Sequence, residues 1–225
     1  FRNVTGVQTC ALPISRAAEG QIVFQKNHDF DLALDATRRD CLYVIQTRAP
    51  LLEALSDREL AETVHPELAG DADELVIWLG RKAAYYRAFH RKWMEAMPEN
   101  AIHLPYEALV QNPGEALTAL FARAGVQVRP DAIAQAVAQQ AGRRDDAAAG
   151  VFAARSANIP AGYREYFEAF DALLTGRFEG HGDSAATRAV RLATEAQAAA
   201  LAGDFSAAAG GWADFCAEFS SNAHG

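Results

Sequence analysis

Apolar and polar positions alternate between two periods along this chain. Cys41-Leu42-Tyr43-Val44-Ile45 is an uninterrupted apolar run that closes on Gln46-Thr47-Arg48, the signature of a strand buried on both faces. A shorter run, Gln21-Ile22-Val23-Phe24-Gln25, ends in Lys26-Asn27-His28-Asp29 and predicts an earlier strand. Ile102-His103-Leu104-Pro105-Tyr106 predicts a third. Between and after them the spacing turns helical. Leu52, Leu55 and Leu60 share a side of a helix from Leu51 to about Val64. Asp71 or Asp73 can cap a second helix, in which Leu75, Trp78, Leu79, Tyr86, Phe89, Trp93 and Met97 recur down to the stop at Pro98. Pro113 opens a further helix that ends at Gly125, Pro130 to Ala141 forms the next, and Tyr163 through Leu174 another. Strands alternating with helices imply an α/β fold, a parallel sheet with helices on its faces.

In such a sheet, chemistry collects at the carboxyl ends of the strands. Arg48 ends one strand, and Ala49-Pro50 leads directly into a helix that carries Ser56. Pro50 suits a first helical position because its missing N–H is not needed there. An anion at this turn would meet a guanidinium, loop N–H groups and the positive end of a helix dipole. Lys26 and His28 project from the end of the other strand toward the same edge. Each has a plainer role as well. Arg48 can form a structural ion pair, Ser56 can bond a carbonyl of its own helix, Lys26 can be a solvated strand end, and His28 can sit on a surface loop bonded to Asp29.

Three segments together resemble the sulfotransferases that use 3′-phosphoadenosine 5′-phosphosulfate. These are Lys26-Asn27-His28, then Arg48 and Ser56 with seven residues between them, then Tyr106-Glu107-Ala108-Leu109-Val110-Gln111-Asn112-Pro113, each at a strand end and in the family's order. The resemblance covers roughly Gln21 to Phe178 and takes in the aromatic and basic helix end Phe89-His90-Arg91-Lys92-Trp93-Met94. It implies a P-loop-kinase-like fold and names 3′-phosphoadenosine 5′-phosphosulfate as donor, with no metal. His28 becomes the base that takes the acceptor's proton, and Lys26 an electrostatic helper. Arg48 and Ser56 become ligands of the 3′-phosphate, and Tyr106 a neighbour of the adenine, with Glu107 and Pro113 structural. The family also places a late Arg-Lys-Gly loop on the 3′-phosphate. This chain departs from it, and Arg155 is the nearest counterpart, with Arg143 or Arg144 as alternatives. The acceptor is a small molecule, glycan or peptide.

No phosphate-wrapping Gly/Ser loop of that family occurs in the sequence, so the fold is expected to lack its first strand and phosphate loop. The opening Val4-Thr5-Gly6-Val7-Gln8-Thr9-Cys10-Ala11-Leu12-Pro13-Ile14 resembles a translated sequencing adapter. Residues 1–15 are therefore expected to lie outside the natural fold, and the chain to bind the donor poorly on its own. Thr5, Gly6, Gln8 and Thr9 break any signal-peptide core, leaving an edge strand as the alternative. Residues 16–180 then form a partial sulfotransferase domain.

Residues 181–225 turn to Ala, Gly and Ser. Ala193 through Ala208 to Trp212 looks like a tetratricopeptide-type helical hairpin, which needs neighbours or the main domain to bury its face. Two alternatives to the sulfotransferase stay open: a P-loop kinase-like phosphotransferase using ATP, and a non-catalytic interaction protein built on that hairpin.

Composition narrows the field. Half of the 225 residues are hydrophobic and 22% charged, the mix of an ordinary globular domain. A net charge of −8 disfavours nucleic acid as a partner, and no apolar run approaches membrane-span length. Apart from Cys10, Cys41 and Cys216 read as buried free thiols of a reducing, cytoplasmic protein. His65-Pro66-Glu67 fits the H-x-E of zinc deaminases, but no P-C-x-x-C follows it.

Overall fold

The computed structural model describes residues 10–17, 21–24, 29, 31–66, 72–141, 159, 161–175 and 184–220. The chain divides into two units. One comprises Phe1–Ala49 with Lys92–Ala154, the other Pro50–Arg91 with Arg155–Gly225.

The first unit is built on a mixed sheet with strand order β2-β1-β3-β4, where β1 is Cys10–Ala17, β2 Gln21–Phe24, β3 Cys41–Thr47 and β4 Ala101–Pro105. The parallel expectation holds for β3 with β4, which pair from Tyr43↔Ala101 to Thr47↔Pro105. It does not hold for β1, which runs antiparallel to both β2 and β3. Chain length explains the difference. Residues 18–20 are too few to carry the chain back for a parallel pairing, so β1 and β2 must form a hairpin, whereas β3 reaches β4 after a long excursion. Of the segment set aside on sequence grounds, Cys10 to Ser15 pair within the sheet, facing Gln46 to Cys41.

After β4 come α3 (Tyr106–Gln111), α4 (Pro113–Arg123) and α5 (Pro130–Ala141). Tyr106, expected at the end of the strand, opens α3 instead. Pro113 stands in the first turn of α4, and Gly125, with φ of 66°, takes the left-handed conformation just past its end. Leu117 and Leu120 of α4 pack on Leu42 and Val44 of β3 and Ile102 and Leu104 of β4.

The second unit is helical: α1 (Pro50–Val64), α2 (Ala72–His90), a short 3₁₀ turn (Ala161–Tyr163), α6 (Arg164–Thr175), α7 (Ala185–Leu201) and α8 (Phe205–Ser220). Its core joins Leu75, Leu79, Ala83 and Tyr86 of α2 to Phe167 and Phe170 of α6, Ala189, Val190 and Ala193 of α7 and Phe215 of α8. Leu75, Leu79 and Tyr86 of the helical stripe that the sequence displays lie on this buried face, with Trp78 partly buried against it. Ser184 caps α7 by accepting the Thr187 N–H at 3.2 Å, and Asp204 caps α8 by accepting that of Ala207 at 3.0 Å. The hairpin α7–α8 finds its neighbour in α2, against which α7 packs. Beyond α2 the chain continues as a π-helical turn, Arg91–Glu95, rather than as α-helix to Met97.

Two side chains adjust the sequence-based picture of this unit. Cys216 is exposed, not buried, while Cys41 in the other unit is buried as expected. Tyr86 is buried, and that burial, together with the carboxylates of Glu53 and Asp57, pushes its hydroxyl well above the ordinary tyrosine range. A raised folded-state value means that this contribution to stability is complete below the unfolded value, near pH ~10, and is lost as the pH climbs above it. Tyr86→Phe should flatten the alkaline loss of stability in denaturant melts run across that range, and an unchanged slope would assign the loss to other groups. Among the described residues no helix is long and apolar enough to cross a membrane.

Candidate functional site

The parallel register brings the ends of β3 and β4 level, so the residues that follow them meet at one edge of the sheet. Arg48 follows β3 and is 6% exposed. Its guanidinium carbon lies 5.2 Å from the centre of the Tyr106 ring, a cation–π contact. The next residue on each side also meets: the Glu107 carboxylate accepts the Ala49 N–H at 3.0 Å. That N–H, counted among the donors for an incoming anion when only the sequence is considered, is thus held by an internal carboxylate. One residue before Arg48, the Thr47 hydroxyl lies 2.8 Å from Nε2 of His103. Sequence reasoning passed over His103 as a strand residue. Its signal was the pattern of β4, which places one polar side chain among apolar ones in the middle of the strand.

A second built centre surrounds Asp29. This residue is 2% exposed and adopts φ of 48°, a left-handed conformation that aspartate tolerates better than most. Its carboxylate accepts from Lys92 Nζ at 2.7 Å, Trp93 Nε1 at 2.8 Å and the Leu34 N–H at 2.7 Å. Its carbonyl accepts the Leu32 N–H, and Lys92 donates onward to the Leu32 carbonyl at 2.7 Å. Leu32 is itself left-handed, with φ of 55°, which is costly for a leucine and is sustained by these bonds. The Trp93 ring packs on Tyr43 with centroids 5.1 Å apart, and the Tyr43 hydroxyl donates to the Asp35 carbonyl. Burial pushes the Tyr43 phenol upward, so it stays a donor. On the exposed side of the same loop, the hydroxyl and N–H of Thr37 hold the Asp35 carboxyl below its ordinary value. The π-helical turn after α2 supplies both Lys92 and Trp93, and such turns recur at functional sites.

Of the site residues expected from sequence, Arg48 and Tyr106 are brought together. Ser56 is buried in the second turn of α1, within the helical unit. Lys26, His28 and Arg155 lie outside the described residues, as do Arg143 and Arg144.

No family model matches the chain, and neither a curated protein nor a solved structure matches it.

Proposed function

We propose that this chain is part of a sulfotransferase that moves a sulfuryl group from 3′-phosphoadenosine 5′-phosphosulfate to an acceptor hydroxyl or amine. The observation that carries the proposal is the buried guanidinium of Arg48 on the Tyr106 ring, at the carboxyl edge of a parallel strand pair. A buried, oriented fork of N–H donors is suited to a phosphate, and the edge is where open α/β sheets bind ligands. In the reaction, the acceptor oxygen or nitrogen attacks sulfur as His28 takes its proton. The bond from sulfur to the bridging oxygen breaks, and adenosine 3′,5′-bisphosphate leaves with the charge that Lys26 stabilises. Arg48 holds the 3′-phosphate, the group that separates this donor from ATP.

The proposal is tested by titrating the chain with adenosine 3′,5′-bisphosphate and with ATP. Weak binding that requires the 3′-phosphate is expected. Loss of a charge-assisted contact worth about 1.5–3 kcal/mol should make Arg48→Ala bind roughly 10- to 100-fold more weakly. Equal binding by Arg48→Ala would remove Arg48 from the site, and a preference for ATP would favour the kinase alternative. Exposed Leu201 and Phe205 beside the turn of α7–α8 favour the interaction-protein alternative, which predicts indifference to both nucleotides.

A further inference from the structure

We infer that Tyr106 and Glu107 are positioning residues, a clasp that fixes Arg48 and Ala49 at the sheet edge. This inference rests on the sulfotransferase reading for its ligand and departs from that reading in the role it gives Tyr106.

Two consecutive residues after β4 hold two consecutive residues after β3. The Tyr106 ring lies under the Arg48 guanidinium at 5.2 Å, and the Glu107 carboxylate takes the Ala49 N–H at 3.0 Å. The pairing requires that the strands end level, which the register Thr47↔Pro105 provides. It also requires that both side chains leave β4 without an intervening loop, and α3 begins at Tyr106 itself. Each contact secures a different freedom. A long arginine side chain has many rotamers, and a flat ring beneath its planar head removes most of them before any ligand arrives. The backbone of Ala49, exposed and short of Pro50, would otherwise leave the turn unpinned, and the carboxylate pins it. A binding group held in place before the ligand arrives retains more of its contact energy for the ligand. Tyr106 therefore contributes through Arg48 to recognition of phosphate, rather than by stacking on the adenine.

The clasp is tested by comparing adenosine 3′,5′-bisphosphate with adenosine 5′-monophosphate, whose affinity ratio isolates the 3′-phosphate. Tyr106→Leu should lower that ratio about threefold to thirtyfold, the range of a cation–π contact, and leave the monophosphate nearly unchanged. Tyr106→Phe keeps the ring and should keep the ratio. Glu107→Ala should lower the ratio too, and Glu107→Gln, which retains an acceptor oxygen, should preserve most of it. If Tyr106→Leu weakens both ligands alike, the ring stacks on adenine and the clasp is overturned.

A chain that does not discriminate the two ligands at all would instead count against the sulfotransferase reading. The clasp is then decided by NMR of the free protein. The Arg48 Nε–Hε signal should be shifted by the Tyr106 ring, and it should move in both Tyr106→Leu and Glu107→Ala. An Arg48 signal that is indifferent to Glu107→Ala would refute it.

Discussion

Asp29→Ala should cost the sheet unit about 3–5 kcal/mol, the usual penalty for removing one partner of a buried ion pair. Against a typical total of about 5–15 kcal/mol, that is enough to unfold a marginal domain. The carboxylate answers three donors, namely Lys92 Nζ, Trp93 Nε1 and the Leu34 N–H. Without it, an ammonium that is only 20% exposed and an indole N–H in the core both lose an acceptor. The Leu34 N–H loses its acceptor too, while the Leu32 turn keeps its bond to the residue 29 carbonyl. Trp93 reports on this unit, whereas Trp78 and Trp212 belong to the helical one, so urea melts in a Trp78→Phe, Trp212→Phe background follow the right transition. Lys92→Met alone should cost less, because the carboxylate keeps two donors. The double variant Asp29→Ala, Lys92→Met should recover part of the loss, since it no longer leaves a largely buried ammonium without its carboxylate. A loss below about 0.5 kcal/mol for Asp29→Ala, the range of an ordinary surface change, would show that water replaces the carboxylate freely.

This centre also marks what could be read from the sequence and what could not. The apolar run of β3 and the stripe Leu75, Leu79 and Tyr86 on α2 are local patterns; β3 forms where its run lies, and α2 forms but stops at His90, short of the expected Met97. Asp29 was visible only as a neighbour of His28, because its partners Lys92 and Trp93 are far along the chain and no periodicity links them. Tyr106 was legible as an aromatic at a strand end, but its contact with Arg48 depends on the register of β3 and β4, which neither strand encodes by itself. The same holds for the Glu107 bond to Ala49. The segment of β1 was set aside because it resembles a translated adapter, with an edge strand as the alternative, and β1 instead takes an inner place between β2 and β3. The resemblance that placed Arg48 on the 3′-phosphate and Tyr106 beside the adenine was built from strand ends, and strand ends are where the two side chains meet.

Gly80→Ala should destabilise the helical unit by about 1–3 kcal/mol, although the same change on an exposed helix normally stabilises by up to about 1 kcal/mol. The sign is decided by the crossing of α2 and α7. A Cβ built on Gly80 would lie 2.5 Å from Ala193 Cβ and 2.7 Å from the Ala193 carbonyl carbon, so backbone as well as side chain would have to move. A flexible side chain could turn aside, but the α7 backbone can yield only by sliding the helix, which would disturb the packing of Ala189, Val190 and Phe215. Gly210 on α8 is the matched control. A Cβ there would meet nothing within 4 Å, so Gly210→Ala should stabilise by the helix-propensity gain of up to about 1 kcal/mol. Adding Ala193→Gly to Gly80→Ala removes one of the clashing atoms and leaves the backbone contact, so it should restore only part of the loss. Thermal melts of the three variants against the unchanged chain separate the terms. If Gly80→Ala and Gly210→Ala raise the melting temperature alike, α2 and α7 do not approach as closely as the crossing requires, and the α7–α8 hairpin is held to α2 by a looser contact. If Gly80→Ala alone lowers it, the small residues at this crossing are what let the hairpin share a core with α2.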